Sequence, residues 1–276
     1  MRTKTLLNGC ICLIAVLGMV TMAACSDEEE NNDPFAEKLV SGVEALDSEG
    51  DLSWTRTFGY DAKGRMIKTG IDEGFAEYDY TFIYSYIDDT HLTITLPEEE
   101  GETINYVLKD GHPVSMESDD ETFLFDYDGA FLKSIHTEYE YDGSRETEHY
   151  DYTWSGGDII KAVYTYDRVL SSTTPAKKEV TTATYEYSGK ENVMNCNLFG
   201  IYFLYPGEET FTLTLGTEMT NSKHLPSSMR MVEADGNIIT ATFFDYEFDS
   251  EGYPIRVNCN YKDGEEEEKT VWKIKY

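Results

Sequence analysis

Carboxylates dominate any chemistry this chain can do: 53 Asp and Glu stand against 22 Lys and Arg in 276 residues, for a formal net charge of -31. Two carboxylates held across a cleft would hydrolyse a glycosidic bond, but with 53 candidates spacing singles out no pair. The five histidines, His91, His112, His136, His149 and His224, include no pair four residues apart of the kind that grips zinc from one helix face. There is no Gly-x-Ser-x-Gly elbow, no phosphate-cradling glycine loop and no cysteine pair at zinc spacing. Acidic runs at Glu98-Glu99-Glu100-Gly101 and from Gly264 to Glu268 would attract a hard cation, yet they lack the alternating ligand order of a dedicated calcium loop and read as solvated hairpin tips. The expectation is a protein with no catalytic residue, no cofactor and no metal. A polyanion would be repelled, which excludes non-specific nucleic-acid binding.

Aromatic side chains are the other resource, with 21 Tyr, 13 Phe and 3 Trp. Tyr78, Tyr80, Phe82, Tyr84 and Tyr86 alternate and so fall on one face of a strand. Flat rings stack on sugar faces, which makes Tyr78, Tyr80, Tyr84 and Tyr86 candidate ligand-stacking residues; the same row also suits cross-strand packing in a core.

The elements that must position these groups begin with a secretory signal. Arg2 and Lys4 precede the apolar run Leu6 to Val20, and the small residues Ala23 and Ala24 stand before Cys25. Met22-Ala23-Ala24-Cys25 resembles a bacterial lipobox, which implies cleavage after residue 24 and acylation of the Cys25 sulfur, with membrane attachment through that lipid. Residues 25–34, with Ser26-Asp27-Glu28-Glu29-Glu30, form an acidic tether that looks like the signal directing Bacteroidota-type lipoproteins to the outer face of the outer membrane. Removing residues 1–24 takes away two bases and no acid, moving the net charge from -31 to -33. Cys196 and Cys259 then remain as thiols, each in an Asn-Cys-Asn setting whose alternation turns sulfur toward the apolar face. They are a candidate disulfide or two separate buried thiols.

Residues 35–276 read as a single antiparallel β domain. Four stretches share one layout: Phe58 to Lys68, Phe125 to Lys133, Tyr152 to Lys161 and Tyr246 to Arg256. Each runs aromatic-x-aromatic-Asp/Ser or its Asp-turn equivalent, then Gly, then an aliphatic and a base. Two aromatics at i and i+2 share a strand face, Asp or Ser starts the turn, and Gly supplies the positive φ of the reversal. Helical period is nearly absent, the one candidate being Pro34 to Leu46, which equally suits a first strand. Leu198 to Tyr205 is apolar on both faces and fits a doubly covered strand or a buried plug. Residues 167–180 and 217–227 look like long loops. The fold class expected is all-β: a large curved up-and-down meander of some fifteen to nineteen strands, rolled or barrel-like, and soluble.

At Tyr60-Asp61-Ala62-Lys63-Gly64-Arg65 the chain resembles the YD (RHS-type) repeat. With Lys223-His224-Leu225-Pro226-Ser227 and Tyr246 through Arg256 added, it is similar to a family of uncharacterised Bacteroidota-type surface lipoproteins described as having a porin-like antiparallel β fold. The resemblance implies hairpins and a location; it implies no activity.

These readings converge on a non-catalytic surface lipoprotein that binds a glycan or a surface protein. The alternatives are a carboxylate-dependent glycoside hydrolase working on the concave side of the sheet, and a structural component of an outer-membrane assembly.

Overall fold

Side-chain burial alternates residue by residue along almost every segment of the computed structural model, which describes residues 38–72, 80–97, 102–118, 121–141, 144–170, 177–194, 198, 222–263 and 266–276. Alternation of this kind makes strands, and the described residues form sixteen. The first eight are β1 (Gly42–Leu46), β2 (Leu52–Tyr60), β3 (Met66–Asp72), β4 (Tyr80–Tyr86), β5 (His91–Leu96), β6 (Glu102–Lys109), β7 (His112–Ser118) and β8 (Glu121–Asp128). The second eight are β9 (Phe131–Tyr141), β10 (Ser144–Ser155), β11 (Asp158–Leu170), β12 (Lys177–Glu191), β13 (His224–Glu233), β14 (Ile238–Phe248), β15 (Pro254–Asp263) and β16 (Glu266–Lys275). Each pairs antiparallel with its sequence neighbours, and β1 pairs with β16 from Gly42↔Lys275 to Leu46↔Val271, which closes the sheet into a barrel. Met1–Lys38 is a separate unit, of which only Lys38 is described; Leu39–Tyr276 carries the barrel.

The inward rows are apolar. Phe82, Ile94, Tyr106, Leu132, Ile135 and Ile159 are among the largest fully buried side chains, and the buried hydrophobics form one continuous cluster. The outward rows are ionic, with cross-strand pairs such as Lys133–Asp126, Arg145–Glu138 and Lys178–Asp167. Closure leaves the sheet no unpaired edge.

Both chain ends of the barrel lie at one rim, here the terminal rim. This rim also carries the expected Asp–Gly turns. In the turn after β2, the Asp61 Oδ1 accepts from the backbone N–H of Lys63 and of Arg65, each at 2.9 Å, while Gly64 sits at φ 75°. The turn after β14 repeats this with Asp249, Glu251, Tyr253 and Gly252 at φ 91°. A side-chain acceptor at the first position and a left-handed glycine at the fourth are what the reversal demands.

A second recurring device is not a turn feature. The aromatic near the end of an even strand reaches back to a main-chain carbonyl at the start of the preceding odd one. Tyr127 donates to the Pro113 carbonyl at 2.9 Å, Tyr187 to Ile159 at 2.6 Å, Tyr246 to Pro226 at 2.6 Å and Tyr276 to Pro254 at 3.0 Å. Tyr60 does the same to Val40, and Trp154 to Leu132 through its indole N–H. Register shifts sit at Gly59/Tyr60, Asp126/Tyr127, Thr153/Trp154 and Glu186/Tyr187, so the bulge that re-aims the strand accompanies the latch. The aromatic-x-aromatic repeat therefore does two jobs: one ring packs the core and the other staples neighbouring hairpins.

The structure corrects two expected loops. Of residues 167–180, the described 167–170 and 177–180 are strand, with Asp167 paired to Lys178 and Arg168 to Lys177, because alternation runs on through Tyr164, Tyr166 and Arg168 beneath a polar composition; 171–176 lie outside the described residues. The loop expected over 217–227 gives way to β13 at His224, with Pro226 accommodated at an irregularity in the β12 register. Of Pro34 to Leu46, the part from Gly42 to Leu46 is strand; of Leu198 to Tyr205, Leu198 is described and buried.

Candidate ligand-binding site

Toward the far rim the inward rows of β9, β10 and β11 change character. On β10 the row that holds Tyr152 and Tyr150 continues as Glu148, Glu146 and Ser144. On β11 Ala162 and Tyr164 are followed by Tyr166 and Arg168, and on β9 Ile135 is followed by Thr137 and Tyr139. Register sets these side by side: Tyr139↔Glu146, Thr137↔Glu148, Glu148↔Tyr166 and Glu146↔Arg168. Directly opposed residues in an antiparallel pair have Cβ atoms about 4.5–5.5 Å apart, so the three strands build one continuous polar–aromatic wall.

Hydrogen bonds knit the wall. Tyr150 donates to Glu148 Oε2 at 2.7 Å and Tyr139 to Glu148 Oε1 at 3.1 Å. Tyr166 donates to Glu146 Oε2 at 2.5 Å, and Arg168 Nε lies 3.0 Å from Glu146 Oε1. The Tyr150 and Tyr164 rings pack with centroids 4.8 Å apart. Glu121 of β8 faces the same region: burial, and then the charge of Glu148, hold its carboxyl above the usual carboxylate range. Burial, and then hydrogen bonding to Glu146, push the Tyr166 phenol up to about 12; burial followed by Glu148 raises Tyr139. Two hydroxyls in the wall, Thr137 Oγ1 and Ser144 Oγ, are buried without a hydrogen-bond partner, each residue being 1% exposed. Glu148, Tyr139, Tyr164 and Tyr166 are half-buried and reachable.

Elsewhere inside, Arg56 is buried with its guanidinium 4.7 Å from the Trp54 ring centroid, and Trp54 meets Trp272 edge-on at 5.9 Å. Among the described residues, no group of three or more His, Cys, Asp or Glu side chains is placed to hold a metal ion.

Those of the residues singled out in the sequence that are described, Tyr80, Tyr84, Tyr86 and Cys259, stand on other strands than this wall. Tyr80, Tyr84 and Tyr86 point inward from β4; Tyr84 is 4% exposed and packs in the core beside Thr69, and Arg65 lies over the Tyr86 ring at 4.2 Å. Tyr78, Cys25 and Cys196 lie outside the described residues. Cys259 is a buried free thiol on the inward row of β15, and burial pushes it up to about 12. The wall was missed although it carried a signal: Glu146 and Glu148 share parity with Tyr150, Tyr152 and Trp154, so alternation had already placed two carboxylates inside.

Solved structures share this architecture. A porin-like protein from Bacteroides vulgatus superposes with TM-score 0.60 and 16% identity, covering 87% of this chain and 99% of its own. A porin-like protein from Bacteroides uniformis does so with TM-score 0.57 and 18% identity, covering 86% and 98%. No protein-family model and no curated protein matches the sequence. At such identities the likeness shows the fold: this chain is an antiparallel, closed, all-β barrel of the kind seen in porin-like proteins of Bacteroides.

Proposed function

We propose that this chain is a non-catalytic binding barrel, held by a lipid on Cys25 at the outer membrane and facing the exterior, with the β9–β11 wall as its ligand face. In this reading residues 1–24 are the signal, residues 25–34 the tether and the YD-like hairpins the scaffold. The observation that carries the binding reading is the wall itself, two inward glutamates knitted to three tyrosines on adjacent strands in an interior that is otherwise mostly apolar. Porin-like relatives in fold support an outer-membrane location.

A soluble barrel outside the bilayer, rather than a pore through it, is supported by the polarity of the two faces. A spanning barrel turns an apolar band about 25 Å tall to lipid and pays about 2–4 kcal/mol for each Lys or Arg at the midplane. Here the outer face carries Lys133, Arg145, Lys178 and their acidic partners among exposed aliphatics such as Ile83, Val107 and Leu124, and the continuous apolar cluster is on the inner face. Labelling cells with radioactive palmitate tests the anchor: wild type incorporates label and Cys25→Ala does not, and equal labelling of the two defeats it. The binding claim is tested by calorimetry of the barrel against soluble surface glycans and amines. No heat with any of them, together with turnover of a glycan, defeats the non-catalytic reading.

One observation favours the hydrolase alternative. Burial, and then the charge of Glu148, raise the Glu121 carboxyl above the usual carboxylate range, which suits it to donate a proton. Against it, Glu148 accepts from a tyrosine at each oxygen and Glu146 is engaged by Tyr166 and Arg168. Glycan hydrolysis that disappears in Glu121→Gln would establish the alternative.

A further inference from the structure

We propose that the ligand of the β9–β11 wall is an organic cation bearing primary ammonium groups, seated between the Tyr139, Tyr164 and Tyr166 rings with Glu148 as its counter-charge. The inference rests on the binding reading above and names the ligand's chemistry.

It follows from where the protons go. A tyrosine hydroxyl has one proton to donate and lone pairs to accept with. Tyr139 and Tyr150 both give theirs to Glu148, and Tyr166 gives its own to Glu146. Every one of these phenols is thereby left able only to accept. Around the Glu148 carboxylate these phenols form an acceptor cluster, whose complement is a group that donates in several directions. A primary ammonium does this with three N–H bonds.

Charge points the same way. Arg168 answers Glu146, but among the described residues no Lys, Arg or His lies within salt-bridge distance of Glu148 or Glu121. Glu146 and Glu148 against Arg168 leave the wall net negative even with Glu121 protonated, and burial concentrates that field. Tyr164 is half-buried and packs on the buried Tyr150 ring with centroids 4.8 Å apart, and a cation over a tyrosine face is attracted by the ring quadrupole. Thr137 Oγ1 and Ser144 Oγ, buried and unpartnered, supply two further oxygens on the same inward rows. A neutral sugar would leave the Glu148 charge without a counter-charge, whereas an ammonium supplies one.

Calorimetry of the full chain with spermidine, at near-physiological salt, tests this. One site per barrel is expected, weakened at least tenfold in Glu148→Gln and unchanged in Glu251→Gln at the terminal rim. Equal binding by wild type and Glu148→Gln, or many weak sites that vanish with salt, overturns the inference. Maltohexaose is the second titrant. If it binds wild type and spermidine does not, the wall is a glycan site and the cation assignment fails while the binding reading stands; if neither binds, both fail. Should Glu148→Gln not fold, side-chain NMR of wild type locates the site directly: spermidine shifts the Tyr139, Tyr164 and Tyr166 signals and leaves Tyr60 and Tyr246 in place, and the reverse pattern overturns the proposal.

Discussion

Asp158 holds His224 by two bonds that span 66 residues of sequence, from the His224 backbone N–H to Oδ1 and from ring Nδ1 to Oδ2, both at 2.8 Å. Around this clasp, Lys223 N–H donates to the Gly157 carbonyl and Ser222 Oγ accepts from Ile159 N–H, so the start of β13 is fixed against the turn between β10 and β11. Asp158 is 8% exposed, and hydrogen bonds to a buried charged group contribute about 1.5–3 kcal/mol each. Asp158→Ala should therefore lower the unfolding free energy in urea by about 2–4 kcal/mol, with Asp158→Asn recovering part of the loss. A change below about 0.5 kcal/mol would show that the clasp is incidental.

The aromatic latches predict small, additive losses. Tyr127→Phe and Tyr246→Phe each remove a hydroxyl that donates to a main-chain carbonyl. Each should cost about 1 kcal/mol, and because the two sit on different hairpins the double variant should lose the sum. Denaturant midpoints of the three variants check this.

Burial also raises the Tyr127 and Tyr187 phenols above their ordinary range. A raised folded-state value means stability that is complete below the unfolded value of about 10 and is lost as pH climbs beyond it. Tyrosinate absorbance that appears around pH 10 should therefore come from exposed rings only, with the remainder appearing in one step as the barrel unfolds in stronger base. Gradual ionisation of all tyrosines in a still-folded barrel would contradict the burial described.

Glu121 predicts the opposite edge of the pH range. Its folded value is raised by burial and by Glu148, so its contribution is fully present below the unfolded carboxylate value and falls away as pH rises through the folded one. Glu121→Gln should be more stable than wild type at neutral pH and lose that advantage in acid. Thermal unfolding at a series of pH values measures it.

Cys259 lies on the inward row opposite Phe244, and burial pushes its thiol up to about 12. In a Cys196→Ser background it should resist iodoacetamide at pH 8 while folded and react at once in urea. Labelling of the folded protein would place the thiol elsewhere.

How much of this was legible in the sequence differs by feature. The hairpins were, because Asp61 and Gly64 or Asp249 and Gly252 carry their turn chemistry locally. Closure was not: Gly42 meeting Lys275 is a contact between the two ends of the barrel, and nothing in either strand specifies the other. Strands over 167–180 were hidden because Thr and charged residues blurred an alternation that register later revealed. The wall was hidden for a related reason. Glu146 and Glu148 look like two of many carboxylates until the parity of β10 turns them inward, and Glu121 joins them only through the pairing of β8, β9 and β10.

The seam between β1 and β16 has a consequence for how the molecule is made. Val43 faces Ile274 and Ala45 faces Trp272 across it, so the first barrel strand has no partner on one side until the five residues Val271–Lys275 exist. A ribosome issuing the strands in order therefore leaves the cylinder slit along one line through fifteen of them, and β16 is the piece that locks it.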